Sequence, residues 1–348
     1  MRLPIPPLQQ VSPSSRPKAL RETREASRNC DLQGPECAAI VTTYYRRFGL
    51  EQMKKACVLG LGQMGIGIAR NLIEAGFPTS GYDIQADRRE LLQRSGGQAA
   101  DSCAAAANGA DCVFVMVLNG DQARRALLGE GGALETLAPG STVVMTATIL
   151  PSEVRALEEP LAVAGVRLVD CPVSGGKSGA DDGTLTLMAA APSSVLDECR
   201  PALEAVSKVI HHVGTEIGQG QSTKASLQVL IGCVFAGTFE ALVLGAKTGV
   251  SGRKLFDVIM SSAAGSPLVE TSARHVLDRA FTNTGSGIRT MHKDLGICLD
   301  LGRESGTPLF AAGAAQQMFQ AGISLFPDED NWAVAKWLEE IAGAEAGW

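Results

Sequence analysis

Between Ala56 and about Gly218 the chain alternates short apolar runs with stretches of helical spacing, and beyond that point the short runs stop. "ACVLG" reads as a buried strand that ends on glycines. "MGIGIARNLIEAG" follows with apolar residues at Met64, Ile68, Leu72 and Ile73, the spacing of one helical face. "TSGYDI", "DCVFVMVLN", "STVVMTAT", "VRLVDCPV" and "TLTLMAA" read as further strands. Strands separated by helices need crossover connections, which predicts an α/β fold built on a parallel, doubly wound sheet. After Gly218 the run "ASLQVLIGCVFAGTFEALVLGAKTG" is too long for a strand and apolar around much of its circumference, as in a buried helix. Amphipathic helices are expected near 252–262, 265–278, 287–303, 307–323 and 331–341, giving an all-α second domain joined through the long helix. Such a helix can bury its faces within the subunit or against a second copy, so a homodimer or homotetramer is expected.

Charge and cysteine usage exclude several function classes. The net charge of −6 argues against nucleic acid as a partner. No uninterrupted run of about 18 apolar residues suggests a membrane span. The nine cysteines are scattered without a CxxC pair, which suits reduced thiols in the cytoplasm better than a disulfide framework or a zinc site. His211 and His212 are adjacent, so on a strand they point to opposite faces and make a poor chelate; no metal is expected. Residues 1–52 differ from the rest, with prolines at 4, 6, 7, 13 and 17 and a charge of +3 against −9 for the remainder. Their Arg and Ser content suits a transit peptide, while Glu22, Glu25 and the prolines weigh against one. We expect a disordered or artefactual extension over 1–52, with "MKKACVLG" at Met53 as the natural start of a domain over 53–217 and the helical domain over 218–348.

Gly60, Gly62 and Gly65 of "GLGQMG" sit directly after a strand and open a helix. In that context the first glycine permits the tight turn and the second lets the backbone approach a pyrophosphate. The third lets helix and strand pack closely. The helix N-terminus adds free N–H groups and positive partial charge for the phosphates, so Leu61, Gln63 and Met64 within the turn join the expected cofactor site. Asp83 ends the second strand, 23 residues after Gly60. A carboxylate there accepts from adenosine ribose hydroxyls and repels a 2′-phosphate, which favours NAD over NADP. Arg88 and Arg89 are expected on a solvated helix face. A tight turn without a ligand is the plainer reading of the glycines alone.

A second glycine loop, Ser174-Gly175-Gly176, breaks the chain at the C-terminal end of the sheet, where a hydroxyl and free N–H groups suit a carboxylate. The plainer reading is a loop before a hairpin, with Lys177 in solvent. "GQGQSTKASLQ" opens the long helix, and Lys224 and Gln228 share one helical face. Lys224 has no acidic residue within four positions. In a closed cleft such a lysine has a lowered pKa and acts as a general acid/base; on pattern alone a solvated lysine is an equal reading.

Taken together, "GLGQMG", "DCPVSGGKSGADDGTLTLMAA", "GQGQSTK", "MHKDLG" and "PDEDNWAV" closely resemble the motifs of the β-hydroxyacid dehydrogenases, the 3-hydroxyisobutyrate dehydrogenase-like family, over about Met53 to Leu338. The nearest likeness is to the L-threonate dehydrogenase branch, through "VLNGDQARRALLGEGGALETLAPG" and Gln228. The resemblance implies an N-terminal Rossmann domain and an NAD-dependent oxidoreductase acting on a small hydroxy acid. It implies Lys224 as the catalytic lysine, Ser174, Gly175 and Gly176 as the loop holding the substrate carboxylate, and Gln228 beside the substrate. It places Asn119 where the backbone passes the cofactor, Thr148 beside the nicotinamide ribose, and Lys293 with Asp294 closing over the cofactor. Two departures bear on the substrate: Gln228 stands where Asn is usual, and "AAGSPLVE" lacks the Asn-Ser-Trp of many relatives. Rival readings are a tartronate- or succinate-semialdehyde-type reductase, an imine reductase, which Lys224 argues against, and a cofactor-binding module without catalysis.

Overall fold

The protein is described here by a computed structural model over residues 55–348; the expected extension over 1–52 and the start at Met53 lie outside the described residues. Nine strands form one sheet: β1 (Ala56–Leu59), β2 (Thr79–Tyr82), β3 (Gln98–Ala99), β4 (Cys112–Val115), β5 (Thr142–Met145), β6 (Arg167–Asp170), β7 (Val173–Ser174), β8 (Leu185–Ala190) and β9 (Ser207–Gly214). The order is β3-β2-β1-β4-β5-β6-β8-β7, with β9 on β8. Ala56 pairs in parallel with Thr79 on one side and Cys112 on the other. Every residue of β1, β4 and β5 is buried, as expected for strands covered on both faces. Alternate residues feed two cores: Val58, Phe114 and Val144 go to one face, Leu59, Val115 and Met145 to the other.

The sheet is parallel as expected except at one edge, where β8 runs antiparallel to both β6 and β7, the hairpin that the plainer reading of the glycine loop allowed. The reason is chain length. β7 follows β6 after only Cys171 and Pro172, and only Gly175–Thr184 connect β7 to β8. A parallel crossover needs a dozen or more residues.

After β9 the chain is helical. The helix Gln219–Lys247 is followed by helices Gly252–Ser261, Pro267–Leu277, Ile288–Ser305, Phe310–Leu325 and Val334–Ala342. By length and composition the first of these is apolar enough to cross a membrane; one face of it, with Phe235, Ala236, Phe239 and Leu242, forms the core of the helical domain. Phe235 meets Trp332 edge-on at 5.2 Å and stacks with Phe239 at 6.1 Å, while His275 stacks on Trp332 at 4.8 Å.

Candidate active site

The strand order reverses between β1 and β4, where open α/β sheets form a ligand crevice. Gly60 leaves β1 there with φ +89, and a Cβ on it would run into the Met116 carbonyl just beyond β4. Only glycine makes this turn without strain. A Cβ on Gly65 would run into the Gly60 carbonyl, so the helix Gly65–Glu74 starts in direct contact with the turn. Around a Cβ on Gly62 there is nothing within 4 Å, which leaves open the approach that a pyrophosphate needs. Gln63 is exposed and Met64 half-buried on the same turn.

Leu61 differs from the expectation. Its side chain is fully buried in the core, and its N–H donates to Asp83 Oδ2 at 2.7 Å. It fastens the carboxylate rather than offering that N–H to a phosphate. Asp83 Oδ1 accepts from the Gln85 N–H at 2.9 Å. Each oxygen keeps a lone pair for a ribose hydroxyl. Arg89 is not the solvated side chain expected: its Nη1 donates to the Asp83 carbonyl at 2.6 Å, and its guanidinium lies 5.7 Å from the centre of the Tyr82 ring. Arg88 is half-buried, 3.6 Å from Asp87. Asp83→Ala is expected to weaken NAD binding about ten-fold or more and to narrow the gap between NAD and NADP. Titration with both coenzymes reads this, and an unchanged preference contradicts a ribose role.

Asn119 accepts from the Gln122 N–H at 2.9 Å, and Gln122 Oε1 accepts from the Leu118 N–H at 2.9 Å. This reciprocal cap starts the helix Gly120–Leu128 and occupies the Asn119 side chain. Ser174 ends β7 half-buried, and the exposed Gly175 and Gly176 lead into the helix Gly176–Asp181. Lys177 is exposed and pairs with Asp181. Gly285 lies against the Lys177 stem (a Cβ there would be 3.0 Å from Lys177 Cβ), so this loop faces the helical domain.

Lys224 is 6% exposed, on the first turns of the long helix. Burial lowers its pKa below the usual lysine value; the Asp294 carboxylate opposes this, and the Lys293 cation adds to it. Asp294 itself is buried and engaged elsewhere. Its Oδ2 accepts from Gln228 Nε2 at 2.6 Å, and its Oδ1 lies 3.0 Å from Lys293 Nζ, off the alignment of a hydrogen bond. Lys293 Nζ donates to the Thr148 carbonyl at 2.7 Å. Gln228, Asp294 and Lys293 thus form a chain of contacts that reaches the turn after β5, with the buried Lys224 within their electrostatic reach. Cys298, one helical turn beyond Asp294, donates to the Ala225 carbonyl at 3.2 Å, and burial pushes its thiol up to about 12.

Residues 55–214 match the family model described as the NAD binding domain of 6-phosphogluconate dehydrogenase. Residues 218–338 match that described as NAD-binding of NADP-dependent 3-hydroxyisobutyrate dehydrogenase. The chain is 36% identical to the L-threonate dehydrogenase of Cupriavidus necator over 283 residues, 80% of this chain and 94% of that one. It belongs to the 3-hydroxyisobutyrate dehydrogenase family. The 2-(hydroxymethyl)glutarate dehydrogenase of Eubacterium barkeri is 32% identical over 84% of this chain and 98% of its own. The crystal structure of 3-hydroxyisobutyrate dehydrogenase from Salmonella typhimurium superposes with a TM-score of 0.75 at 30% identity, covering 82% of this chain and 99% of that one. The family relationship makes this an NAD-binding hydroxyacid dehydrogenase, with a Rossmann-type sheet followed by an all-helical domain.

Two residues at the heart of the site escaped the sequence reading. Asp170, fully buried at the end of β6, accepts from the N–H groups of Gly218 at 2.8 Å and Gln221 at 3.1 Å. Burial pushes its carboxyl up to about 6 against the pull of these groups. The Gln221 side chain donates to the Ala147 carbonyl at 2.9 Å and accepts from the Ile149 N–H at 3.1 Å. Both lie inside motifs already singled out, "VDCPVSGG" and "GQGQSTK". Their partners are far away in sequence, so spacing carried no sign of them.

Proposed function

We propose that the enzyme catalyses the reversible, NAD-dependent oxidation of a small hydroxy acid, with Lys224 as general acid/base. The substrate class is L-threonate-like four-carbon sugar acids or 3-hydroxyisobutyrate-like acids. The observation that carries this reading is Lys224 itself: a buried lysine on the first turns of the long helix, its pKa lowered by burial, in the field of the Asp294 and Lys293 charges, with Lys293 bonded to the turn at Thr148. When bound, the nicotinamide supplies the hydride acceptor for oxidation or the donor for reduction. The chain's residues do the rest. The Ser174 hydroxyl and the Gly175 and Gly176 N–H groups hold the substrate carboxylate. Thr148 and the Asn119 backbone line the cofactor crevice, and Lys293 closes over it from the helical domain. Neutral Lys224 takes the hydroxyl proton as the carbinol C–H bond breaks; as an ammonium it returns the proton to the carbonyl oxygen in reduction. Gln228, bonded to Asp294 through its amide N–H, lies on the substrate side of the long helix with Lys224. Asp83 favours NAD over NADP.

The outward face of the long helix exposes Leu230 and Leu244, which supports assembly as a homodimer or homotetramer. The scattered thiols, most of them buried, favour a cytoplasmic protein.

A panel of threonate, erythronate, 3-hydroxyisobutyrate and glycerate, each with NAD and with NADP, tests the reading by NADH or NADPH formation. Turnover on none of them would leave a cofactor-binding module as the better account. The pH dependence has a definite sign. Oxidation needs the neutral amine, so its rate should rise with pH and level off through a pKa below the ordinary lysine value. Reduction needs the ammonium and should fall over the same range. A flat oxidation profile, or an inflection at the ordinary lysine value, contradicts the assignment.

A further inference from the structure

The long helix starts at a junction with more polar bonds than helix formation requires. Its cap residue, Gly218, has φ +101 and no side chain to cap with. The buried Asp170 carboxylate performs that capping from the end of β6, through its bonds to the Gly218 and Gln221 N–H groups. A Cβ on Gly220 would stand 2.6 Å from the Asp170 carbonyl and 2.7 Å from the Met188 carbonyl, so the first turn rests on the end of β6 and on β8. Arg155 Nε donates to the Ile217 carbonyl at 3.1 Å, just ahead of the cap. Gln221 is 1% exposed and brackets Thr148, with its amide N–H on the Ala147 carbonyl and its amide oxygen on the Ile149 N–H. Thr148 is the residue whose carbonyl receives Lys293. The turn after β5 is therefore held from two helices, and one of them presents Lys224 three residues after Gln221.

We infer that Asp170 and Gln221 are positioning residues that fix Lys224 relative to the Ala147–Ile149 turn, and with it relative to the nicotinamide. The inference rests on the reading of Lys224 as the proton carrier. Gln221 uses one donor and one acceptor in opposite senses on the two sides of one residue. Glutamate lacks the donor, and methionine lacks both. The two bonds tie the helix bearing the base directly to the cofactor turn, within one helical turn of that base. Displacing a reacting group by about 1 Å costs roughly a hundred-fold in rate.

The test uses the full-length enzyme and the hydroxy acid that it oxidises fastest, with and without deuterium on the carbinol carbon. Gln221→Met should keep the NAD dissociation constant within about two-fold while kcat falls by about 10- to 100-fold. The primary isotope effect on kcat should rise as hydride transfer becomes rate-limiting, with the inflection of the pH profile unmoved. Asp170→Asn retains an oxygen for the two N–H groups and should keep most of the activity; Asp170→Ala should lose it as Gln221→Met does. Should Gln221→Met fail to fold, Gln221→Glu carries the same expectation, because it sets a carboxylate against the Ala147 carbonyl. Unchanged kcat and isotope effect would overturn the inference. So would a loss of activity matched by equal losses of NAD affinity and melting temperature, the signature of a merely structural role. Lys224→Ala run alongside separates the two ideas: if it is active, the lysine reading fails; if it is inactive while Gln221→Met is normal, only the positioning role fails.

Discussion

Lys224→Ala is expected to lower kcat by about 10²- to 10⁴-fold while NAD still binds within a few-fold of the wild-type affinity. The split follows from where the lysine sits. Lys224 lies on the long helix of the second domain, whereas the glycine turn and Asp83 belong to the sheet. Removing the amine takes away the proton carrier and leaves the nucleotide contacts alone. The fold should tolerate the change, because a largely buried ammonium is itself costly to desolvate. Lys224→Arg should be just as inactive in oxidation despite its similar length, since guanidinium does not give up its proton in this pH range. Turnover at a tenth of wild type in the alanine variant would remove Lys224 from the mechanism.

The second large effect separates two glycines that lie two residues apart. Gly62→Ala adds a methyl where nothing stands within 4 Å, so the melting temperature should stay within about 1 °C of wild type. NAD affinity should fall ten-fold or more, because the methyl occupies the approach of the pyrophosphate. Gly60→Ala should behave in the opposite order. There φ is +89 and the new carbon would strike the Met116 carbonyl, so stability should drop by about 2 kcal/mol or more, roughly 4–8 °C in a domain of this size. Differential scanning calorimetry and coenzyme titration on both variants read the contrast. A Gly62→Ala enzyme with full NAD affinity would mean that the pyrophosphate does not pass this turn.

Much of this was legible in the sequence because it is written in local pattern. The glycine turn, the succession of four-residue apolar strands and the shift to long helices at Gly218 all follow from spacing and side-chain volume within a few neighbours. Lys224 stood out because no nearby carboxylate accounted for it. What stayed hidden depends on partners distant in sequence. Gln221 bonds residues 147 and 149, and Asp170 caps a helix that begins 49 residues later. Gln228, read as a substrate contact, donates first to Asp294. The antiparallel edge at β7 and β8 was legible only in the plainer reading of the glycine loop, a loop before a hairpin, because the ten residues between these strands are too few for a parallel crossover. Arg89 turned inward because backbone carbonyls at the end of β2 offered it partners that no charge pattern shows.

The helix Gly65–Glu74 has a second neighbour besides the sheet. A Cβ on Gly67 would stand 2.6 Å from Ala180 backbone, and Asn71 Nδ2 donates to the Ala180 carbonyl at 2.8 Å and the Asp181 carbonyl at 3.2 Å. The short helix carrying Ala180 is the one that follows Ser174-Gly175-Gly176. Coenzyme engineering by transplanting a foreign glycine turn with its helix would therefore disturb the Ser174-Gly175-Gly176 loop, unless a small residue at 67 and an amide at 71 travel with the graft. The glycine turn and the Ser174 loop are separate in sequence but are not interchangeable parts.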